Sequence, residues 1–217
     1  MSKPLLIVGN KNYSSWSLRP YMALKQAGID FDEKLIRFGE PQFSKAVRHY
    51  SKAGLVPILV HKEKVIWDSL AILEYIAETW PTKQLWPKSP EARAFARSIC
   101  AEMHSGFRAL RDACPMNIRR PPNPLAMNDA TLKDVARIEA LWAEAHKRFG
   151  AKGEFLFGKF TNADAMFAPV ASRVETYNIP VGKATKSYVA SVLNCTAFTS
   201  WKGAALKEPW IYPEDEV

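Results

Sequence analysis

Apolar and polar residues alternate in the N-terminal third of the chain in the way expected for short strands separated by helices. Leu5–Val8 is an apolar run that predicts a buried strand, and residues 18–27 predict a helix that ends at Gly28. A second strand is predicted at residues 31–36 and a weak helix at residues 42–49. Two more strands are predicted at residues 55–60 and 64–67.

Asp68 and Ser69 begin the next predicted helix, whose apolar residues recur at helical spacing as far as Trp80. The element order is therefore βαβ-αββα, which predicts a small sheet with helices packed against it. Residues 82–88 follow Pro81 and contain Pro87, so they predict a linker between an N-terminal domain, residues 1–81, and a second domain, residues 89–217.

The second domain is predicted to be entirely helical. Ser89 and Pro90 give a helix start, and the apolar stripe that follows predicts one unbroken helix as far as Cys114. Asn128 begins a second long helix that ends at Gly150. Three more helices are predicted at residues 162–177, 187–193 and 198–206. The predicted fold class is thus α/β followed by all-α.

Composition argues against a membrane-spanning protein and against a secreted one. The 217 residues are 47% hydrophobic and 24% charged, as in an ordinary globular protein, and no apolar run is long enough to predict a membrane span. Residues 1–4 run directly into the first strand, so no secretory leader is expected. Three dispersed cysteines without a C-x-x-C pair indicate reduced thiols in the cytoplasm.

The charge distribution and the histidine spacing indicate which ligands the protein is expected to bind. The net charge of +8 is spread over both halves without a basic stripe, which argues against nucleic acid and favours anionic small molecules. The four histidines lack metal-ligand spacing, so no metal site is predicted.

Three serines stand where the first strand gives way to a helix. Pro20 has no N–H, so we place it near the first helical turn and the N-cap near Ser17 or slightly earlier. Ser14 and Ser15 are then free in the loop, where a hydroxyl can donate to an anion held at the helix N-terminus. The alternative is that one of these serines only caps the helix.

Two further dipeptides have the chemistry of a peptide-binding site. A cis bond between Val56 and Pro57 would present the Val56 N–H and C=O to a peptide-like ligand, whereas a trans bond would make Pro57 an ordinary edge-strand residue. Asp68 and Ser69, at a helix N-terminus, form either a carboxylate-binding nest or a plain N-cap.

These motifs, in this order, resemble those of the soluble glutathione transferases. Residues 14–19 look like the S-S-C-x-W-R stretch of the zeta class and its bacterial relatives, and Val56-Pro57 matches the cis-proline dipeptide of the family. Residues 68–72 match E-S-x-A-I with Asp in place of Glu. Thr161 and Asp164 match the capping box of a core helix, for which we predict a structural role only.

The resemblance implies a thioredoxin-like glutathione-binding domain followed by a helical domain, in a homodimeric enzyme. Bound glutathione would be the co-substrate, activated as a thiolate for attack on a small electrophile. Ser14 ranks first as the activating hydroxyl, Ser15 second and Tyr13 third. Val56, Pro57, Asp68 and Ser69 would bind glutathione.

The electrophile would lie between the two halves. Tyr13 and three residues of the first long helix, His104, Arg108 and Arg111, are expected there because the three share one helical face. Glu175 is followed by Thr176, where the maleylacetoacetate isomerases of the zeta class carry Arg, which argues against that activity. The alternatives are a non-catalytic glutathione-binding stress or assembly module and a glutathione-dependent isomerase or dehalogenase.

Overall fold

Four short strands form one mixed sheet within residues 3–150 and 153–217, the part of the chain that the computed structural model describes. They are β1 (Leu5–Val8), β2 (Asp32–Leu35), β3 (Ile58–His61) and β4 (Lys64–Trp67), in the order β2-β1-β3-β4. β1 pairs parallel to β2 and antiparallel to β3, and β4 pairs antiparallel to β3. The prediction that there is no secretory leader is based on residues 1–4, of which residues 1 and 2 lie outside the described ranges.

The central strand β1 buries side chains on both faces of the sheet. Leu6 and Val8 join the core that contains α1 (Ser15–Gln26) and α3 (Ser69–Thr79). Ile7 points the other way, into a smaller cluster with Val47 of α2 (Phe43–Arg48). Because successive strand side chains point to opposite faces, an apolar run of this kind needs a helix on each side.

The rest of the chain is helical, and α7 (Asn162–Thr176) lies at its centre, packed against α1 and two other helices. Asn162 connects this helix to the sheet part of the chain, since its side-chain amide donates to the Leu73 carbonyl at 3.0 Å and its backbone N–H donates to the Leu85 carbonyl at 2.8 Å. The remaining helices are α4 (Pro90–Ser105), α5 (Arg108–Ala113), α6 (Asp129–Ala145), α8 (Lys183–Asn194) and α9 (Thr196–Ala205).

The prediction of one unbroken helix from Pro90 to Cys114 is wrong, because the helix is interrupted at Gly106 and Phe107. Gly106 is extended, and Phe107 has a left-handed backbone with φ of 59°. A Cβ at Gly106 would lie 2.8 Å from the Glu102 carbonyl oxygen, so only glycine fits this close approach. Residues on α4 and α5 therefore do not share one continuous face.

Most other elements lie where the sequence predicts them. β4 and the start of α3 agree residue for residue, and α7 begins with the predicted capping box of Thr161 and Asp164. β3 begins at Ile58 rather than residue 55, because Pro57 has no N–H to donate to a strand ladder. The α/β sheet followed by helices confirms the predicted fold class.

Two negative findings hold for the described residues. No helix among them combines the length and the apolar character needed to cross a bilayer. Their His, Cys, Asp and Glu side chains form no group of three or more that is arranged to hold a metal ion.

Candidate active site

A cavity of about 390 Å³ opens between the loop after β1, the loop before β3, residues 115 and 116 of the proline-rich segment that follows α5, helix α7 and the C-terminal residues. Its walls combine hydroxyl, aromatic, arginine and carboxyl side chains. The lining residues are Tyr13, Ser14, Ser15, Trp16, Phe38, Phe43, Leu55, Val56, Arg111, Pro115, Met116, Arg173, Tyr212 and Asp215.

Ser14 lines this cavity as the N-cap of α1, whereas the sequence placed it in the loop before the cap. Its hydroxyl donates to Ser17 Oγ at 2.7 Å and accepts a hydrogen bond from the Ser17 N–H at 3.4 Å. The helix starts at Ser15, three residues earlier than predicted, so that Pro20 lies inside the helix and not in its first turn. Pro20 lacks the N–H that would otherwise pair with the carbonyl one turn before it.

Ser15 is the first residue of α1 and also lines the cavity. Within the described part of the chain, its hydroxyl has no hydrogen-bond partner, in contrast to that of Ser14. Ser15 therefore presents a free donor at a helix N-terminus, where the macrodipole and the unpaired N–H groups favour an anion.

Tyr13 lies deeper in the wall, and its hydroxyl is fully engaged. It donates to Glu216 Oε1 at 2.5 Å and accepts from Arg119 Nη2 at 3.0 Å and from the Tyr212 N–H at 3.2 Å. These contacts weaken the case for Tyr13 as the thiol-activating group.

The residues after α9, residues 208–217, form one wall of the cavity and are here named the C-terminal segment. Glu208 accepts the backbone N–H groups of Lys11 at 2.8 Å and Asn12 at 3.1 Å. Arg119 donates to the carbonyls of Glu208 and Trp210. The segment is thus held to the loop that carries the serines, a contact that the sequence did not predict.

The Val56–Pro57 peptide is cis, as the sequence allowed, and Val56 lines the cavity while Pro57 does not. Asp68 is the N-cap of α3 with φ of 71°, and its carboxylate accepts the Leu70 N–H at 2.8 Å. Ser69 is completely buried and its hydroxyl accepts a hydrogen bond from Arg19 Nη1 at 3.4 Å.

Of the three residues predicted on one face of the long helix, the structure brings only Arg111 to the cavity. His104 Nε2 lies 3.3 Å from Asp68 Oδ2, and its ring meets the Trp16 ring edge-on at 5.2 Å. Arg108 points away, with a side chain that is 90% exposed and paired with Asp112. The break at Gly106 separates Arg108 and Arg111 from the face that carries His104.

Sequence reasoning missed two arginines that are almost completely buried beside the site. Arg19 stacks on the Trp16 ring at 4.1 Å, and its Nε and Nη2 have no hydrogen-bond partner within the described residues. Arg173 donates from Nε to the Cys114 carbonyl at 2.6 Å, and its Nη1 is likewise unpartnered. A basic residue among the many apolar residues of the predicted helix at 162–177 was the available signal for Arg173.

Burial changes the ionisation of these groups. Desolvation, reinforced by the nearby Arg111 charge, lowers the pKa of Arg173 to about 10 and holds the pKa of Arg19 well below its usual value. Desolvation also lowers the pKa of Arg111. With a pKa of about 10, Arg173 remains charged near neutral pH, and Arg111 and Arg19 lie near it on this side of the site.

The amino-acid sequence is similar to that of known glutathione transferases over part of its length. Residues 13–79 match the family described as "Glutathione S-transferase, N-terminal domain". The chain is 37% identical over 113 residues to the maleylacetoacetate isomerase of Rattus norvegicus, which is 51% of each protein. It is 38% identical over 96 residues to glutathione S-transferase U3 of Arabidopsis thaliana, which is 41% of each. The chain thus spans about half the length of the first of these curated relatives and 41% of the second.

Solved structures resemble the whole fold. A glutathione transferase homolog from Burkholderia, solved with bound glutathione, has a TM-score of 0.71 at 22% identity and covers 94% of this chain and 98% of its own. A diazinon-metabolizing glutathione S-transferase from the silkworm Bombyx mori has a TM-score of 0.72 at 18% identity and covers 95% and 98%. The matched segment carries the serines and the cis-proline dipeptide, and the remaining helices complete the same fold. Residues 13–79 therefore match the N-terminal domain of the glutathione S-transferase family, and the chain as a whole has the fold of these solved glutathione transferases.

Proposed function

We propose that this protein binds glutathione and activates its thiol as a thiolate for transfer to a small electrophile. The observation that carries the proposal is the free Ser15 hydroxyl at the N-terminus of α1, in a cavity that Val56 also lines. A thiolate there gains a hydroxyl donor and the positive end of the helix dipole. The bound-glutathione neighbour and the transferase relatives support the same assignment.

Glutathione would lie with its cysteinyl unit against the Val56 backbone, paired as an added strand residue would be. Its γ-glutamyl end would extend towards Asp68 and Ser69. Support for this orientation comes from Arg19, whose two unpartnered nitrogens lie on the guanidinium that already donates to the Ser69 hydroxyl. A hydroxyl and a guanidinium together suit a carboxylate.

In the reaction, the proton of the glutathione thiol passes to solvent and leaves the thiolate beside Ser15. The sulfur then forms a bond to the electrophilic carbon, and the leaving group departs with the electron pair of the bond that breaks. Ser15 stabilises the sulfur anion without gaining or losing a proton, while Ser14 holds the start of α1 through Ser17. Ser14 is the alternative donor if its hydroxyl turns away from Ser17.

The experiment measures glutathione binding by calorimetry and conjugation of glutathione to chlorodinitrobenzene by absorbance. Binding in the millimolar range or tighter with turnover above the uncatalysed rate is expected. Binding without turnover towards any of several electrophiles of different class would instead favour a glutathione-binding module. Absence of binding would refute the proposal.

The assembly and location follow the same proposal: a homodimer in the cytoplasm. Support for the dimer comes from Trp67 and Val65 of edge strand β4, which expose apolar surface; Trp67 is 55% exposed. Support for the cytoplasm comes from the three cysteines, which form no disulfide. Sedimentation velocity of the intact chain should give a species of twice the 24.5 kDa chain mass. A monomer at micromolar concentration would contradict the dimer.

A further inference from the structure

The inner wall of the cavity carries two arginines, Arg111 and Arg173, that form no direct ion pair with a carboxylate of the described residues. Arg173 is 3% exposed, and among the described residues its guanidinium has one hydrogen bond, to the Cys114 carbonyl, while its Nη1 has no partner. Arg111 donates only to backbone carbonyls, among them Gly106 at 3.0 Å. In the part of the chain that the structure describes, neither guanidinium forms an ion pair.

Such an arrangement is unusual for a structural arginine. Buried cations in proteins are normally paired with carboxylates, because an unpaired buried charge loses its hydration without compensation. Here the two charges also repel one another, which is one reason why the pKa of Arg173 falls to about 10. An anion between them would relieve both costs.

The chain itself brings one carboxyl group towards this place. Asp215 of the C-terminal segment lines the same cavity, and its backbone carbonyl accepts a hydrogen bond from Asn117 Nδ2 at 3.5 Å. Its carboxyl group is partly buried, attracted by Arg173 and repelled by Glu214 and Glu216. Because it forms no ion pair with Arg173, it leaves room for a ligand carboxylate to take the closer position.

We propose that the electrophile of this enzyme carries a carboxylate on a flat apolar body, with Arg173 and Arg111 binding the carboxylate. This inference rests on the proposed transferase function and names its substrate class. The aromatic rings of Trp16 and Phe38 and the Met116 side chain line the same cavity and would contact the apolar body. Asp215 acts as the internal competitor for the carboxylate position.

Glutathione also has two carboxylates, so the test must separate them from that of the electrophile. The reactive pair is a chlorodinitrobenzoate and the corresponding chlorodinitrobenzamide, which differ only in charge at one substituent. In each, the carbon–chlorine bond breaks as the carbon–sulfur bond forms and chloride leaves. The unreactive dinitrobenzoate and dinitrobenzamide serve as binding probes without glutathione, so the carboxylate site remains testable even if no turnover is found.

Wild-type protein should prefer the benzoate over the benzamide, in kcat/KM and in binding. Arg173→Gln should reduce this preference by roughly 10- to 100-fold, the range for losing a hydrogen bond to a charged group, and leave glutathione affinity unchanged. Arg108→Gln is the charge-matched control, because it removes the same charge from an exposed side chain outside the cavity. Its preference should equal that of wild type.

Asp215→Asn provides a second test that does not touch the buried arginines. Removing the competing carboxylate should tighten benzoate binding several-fold and leave benzamide binding unchanged. Equal affinity of wild type for the two probes would overturn the proposal. Loss of glutathione binding in Arg173→Gln with benzoate binding intact would overturn it as well, by assigning the arginines to a glutathione carboxylate. If Arg173→Gln does not fold, the wild-type preference and the Asp215→Asn result decide.

Discussion

The Tyr13 hydroxyl donates a hydrogen bond of 2.5 Å to the Glu216 carboxylate, which joins the loop after β1 to the last residues of the chain. The same hydroxyl accepts from Arg119, and the Tyr13 ring packs near the Tyr212 ring with centroids 6.1 Å apart. The C-terminal segment is therefore fixed to the site through Tyr13. This contact explains why a tyrosine next to the serines need not take part in thiol activation.

Tyr13→Phe removes this hydroxyl and keeps the ring. We expect the C-terminal segment to loosen, seen as faster amide hydrogen exchange in residues 208–217, because a hydrogen bond to a carboxylate is lost. The pH at which conjugation reaches half of its maximal rate should stay where it is in wild type. A shift of that midpoint to higher pH would assign thiol activation to Tyr13.

Ser15→Ala should lower kcat/KM for conjugation at neutral pH by roughly one to three orders of magnitude, the range for removing one donor to an anion. Glutathione affinity should change little, because the helix dipole and the Val56 backbone remain. The deficit should shrink as pH rises, since solvent then removes the thiol proton without help.

Ser14→Ala is the matched comparison for that variant, because it removes the N-cap hydroxyl of α1. It should lower the free energy of unfolding by about 1 kcal/mol and affect turnover less than Ser15→Ala does. If instead only Ser14→Ala produces the pH-dependent deficit, the two roles are exchanged.

Ser69→Ala should weaken glutathione binding by roughly 1.5–3 kcal/mol, the range for a hydrogen bond to a charged group. Calorimetry with glutathione and with an analogue that lacks the γ-glutamyl carboxylate measures the effect. The analogue should not distinguish the variant from wild type. Ser98→Ala, at an exposed position of α4 where the hydroxyl bonds only the carbonyl of Ala94, is the control. Equal losses for both ligands would limit Ser69 to a structural role.

Binding of dinitrobenzoate should strengthen as pH falls through about 6. Burial raises the pKa of Asp215 to about 6; Arg173 opposes that rise, whereas Glu214 and Glu216 add to it. Below this pH Asp215 is neutral and no longer repels the ligand carboxylate, whereas Arg173, with a pKa of about 10, stays charged. We expect a dissociation constant lower by roughly 3- to 10-fold at pH 5.5 than at pH 7.5. In Asp215→Asn this pH dependence should disappear; its persistence would assign it to another group.

Asp164→Ala should destabilise the fold without altering the site. The buried carboxylate accepts hydrogen bonds from the Thr161 N–H at 2.7 Å, the Leu156 N–H at 3.1 Å and the Tyr188 hydroxyl at 3.1 Å. Leaving these donors unpaired should cost about 3 kcal/mol or more of unfolding free energy. Asp129→Ala, an exposed acid in the first turn of α6, should cost less than about 0.5 kcal/mol. Denaturant titration measures both, and glutathione affinity of the folded Asp164→Ala protein should match wild type.

The sequence by itself determined the elements whose signals are local. Apolar runs and helical spacing identified the strands and most helices, and the Thr161–Asp164 capping box was readable because its two partners lie within one turn. The order of the motifs predicted the resemblance to glutathione transferases, and the match of residues 13–79 to the N-terminal domain of that family agrees with it. These features depend on residues a few positions apart, so a linear pattern contains them.

Only the tertiary structure decided which side chains meet in the site. Whether the Ser14 or the Ser15 hydroxyl is free depends on where α1 begins, and Pro20 alone pointed to the wrong turn. The separation of His104 from Arg111 depends on a close approach of Gly106 to the Glu102 carbonyl. The contact of Tyr13 with Glu216 joins positions 203 residues apart. The burial of Arg173, which is 3% exposed and donates to the Cys114 carbonyl 59 positions away, likewise depends on tertiary packing, and no local pattern encodes that environment.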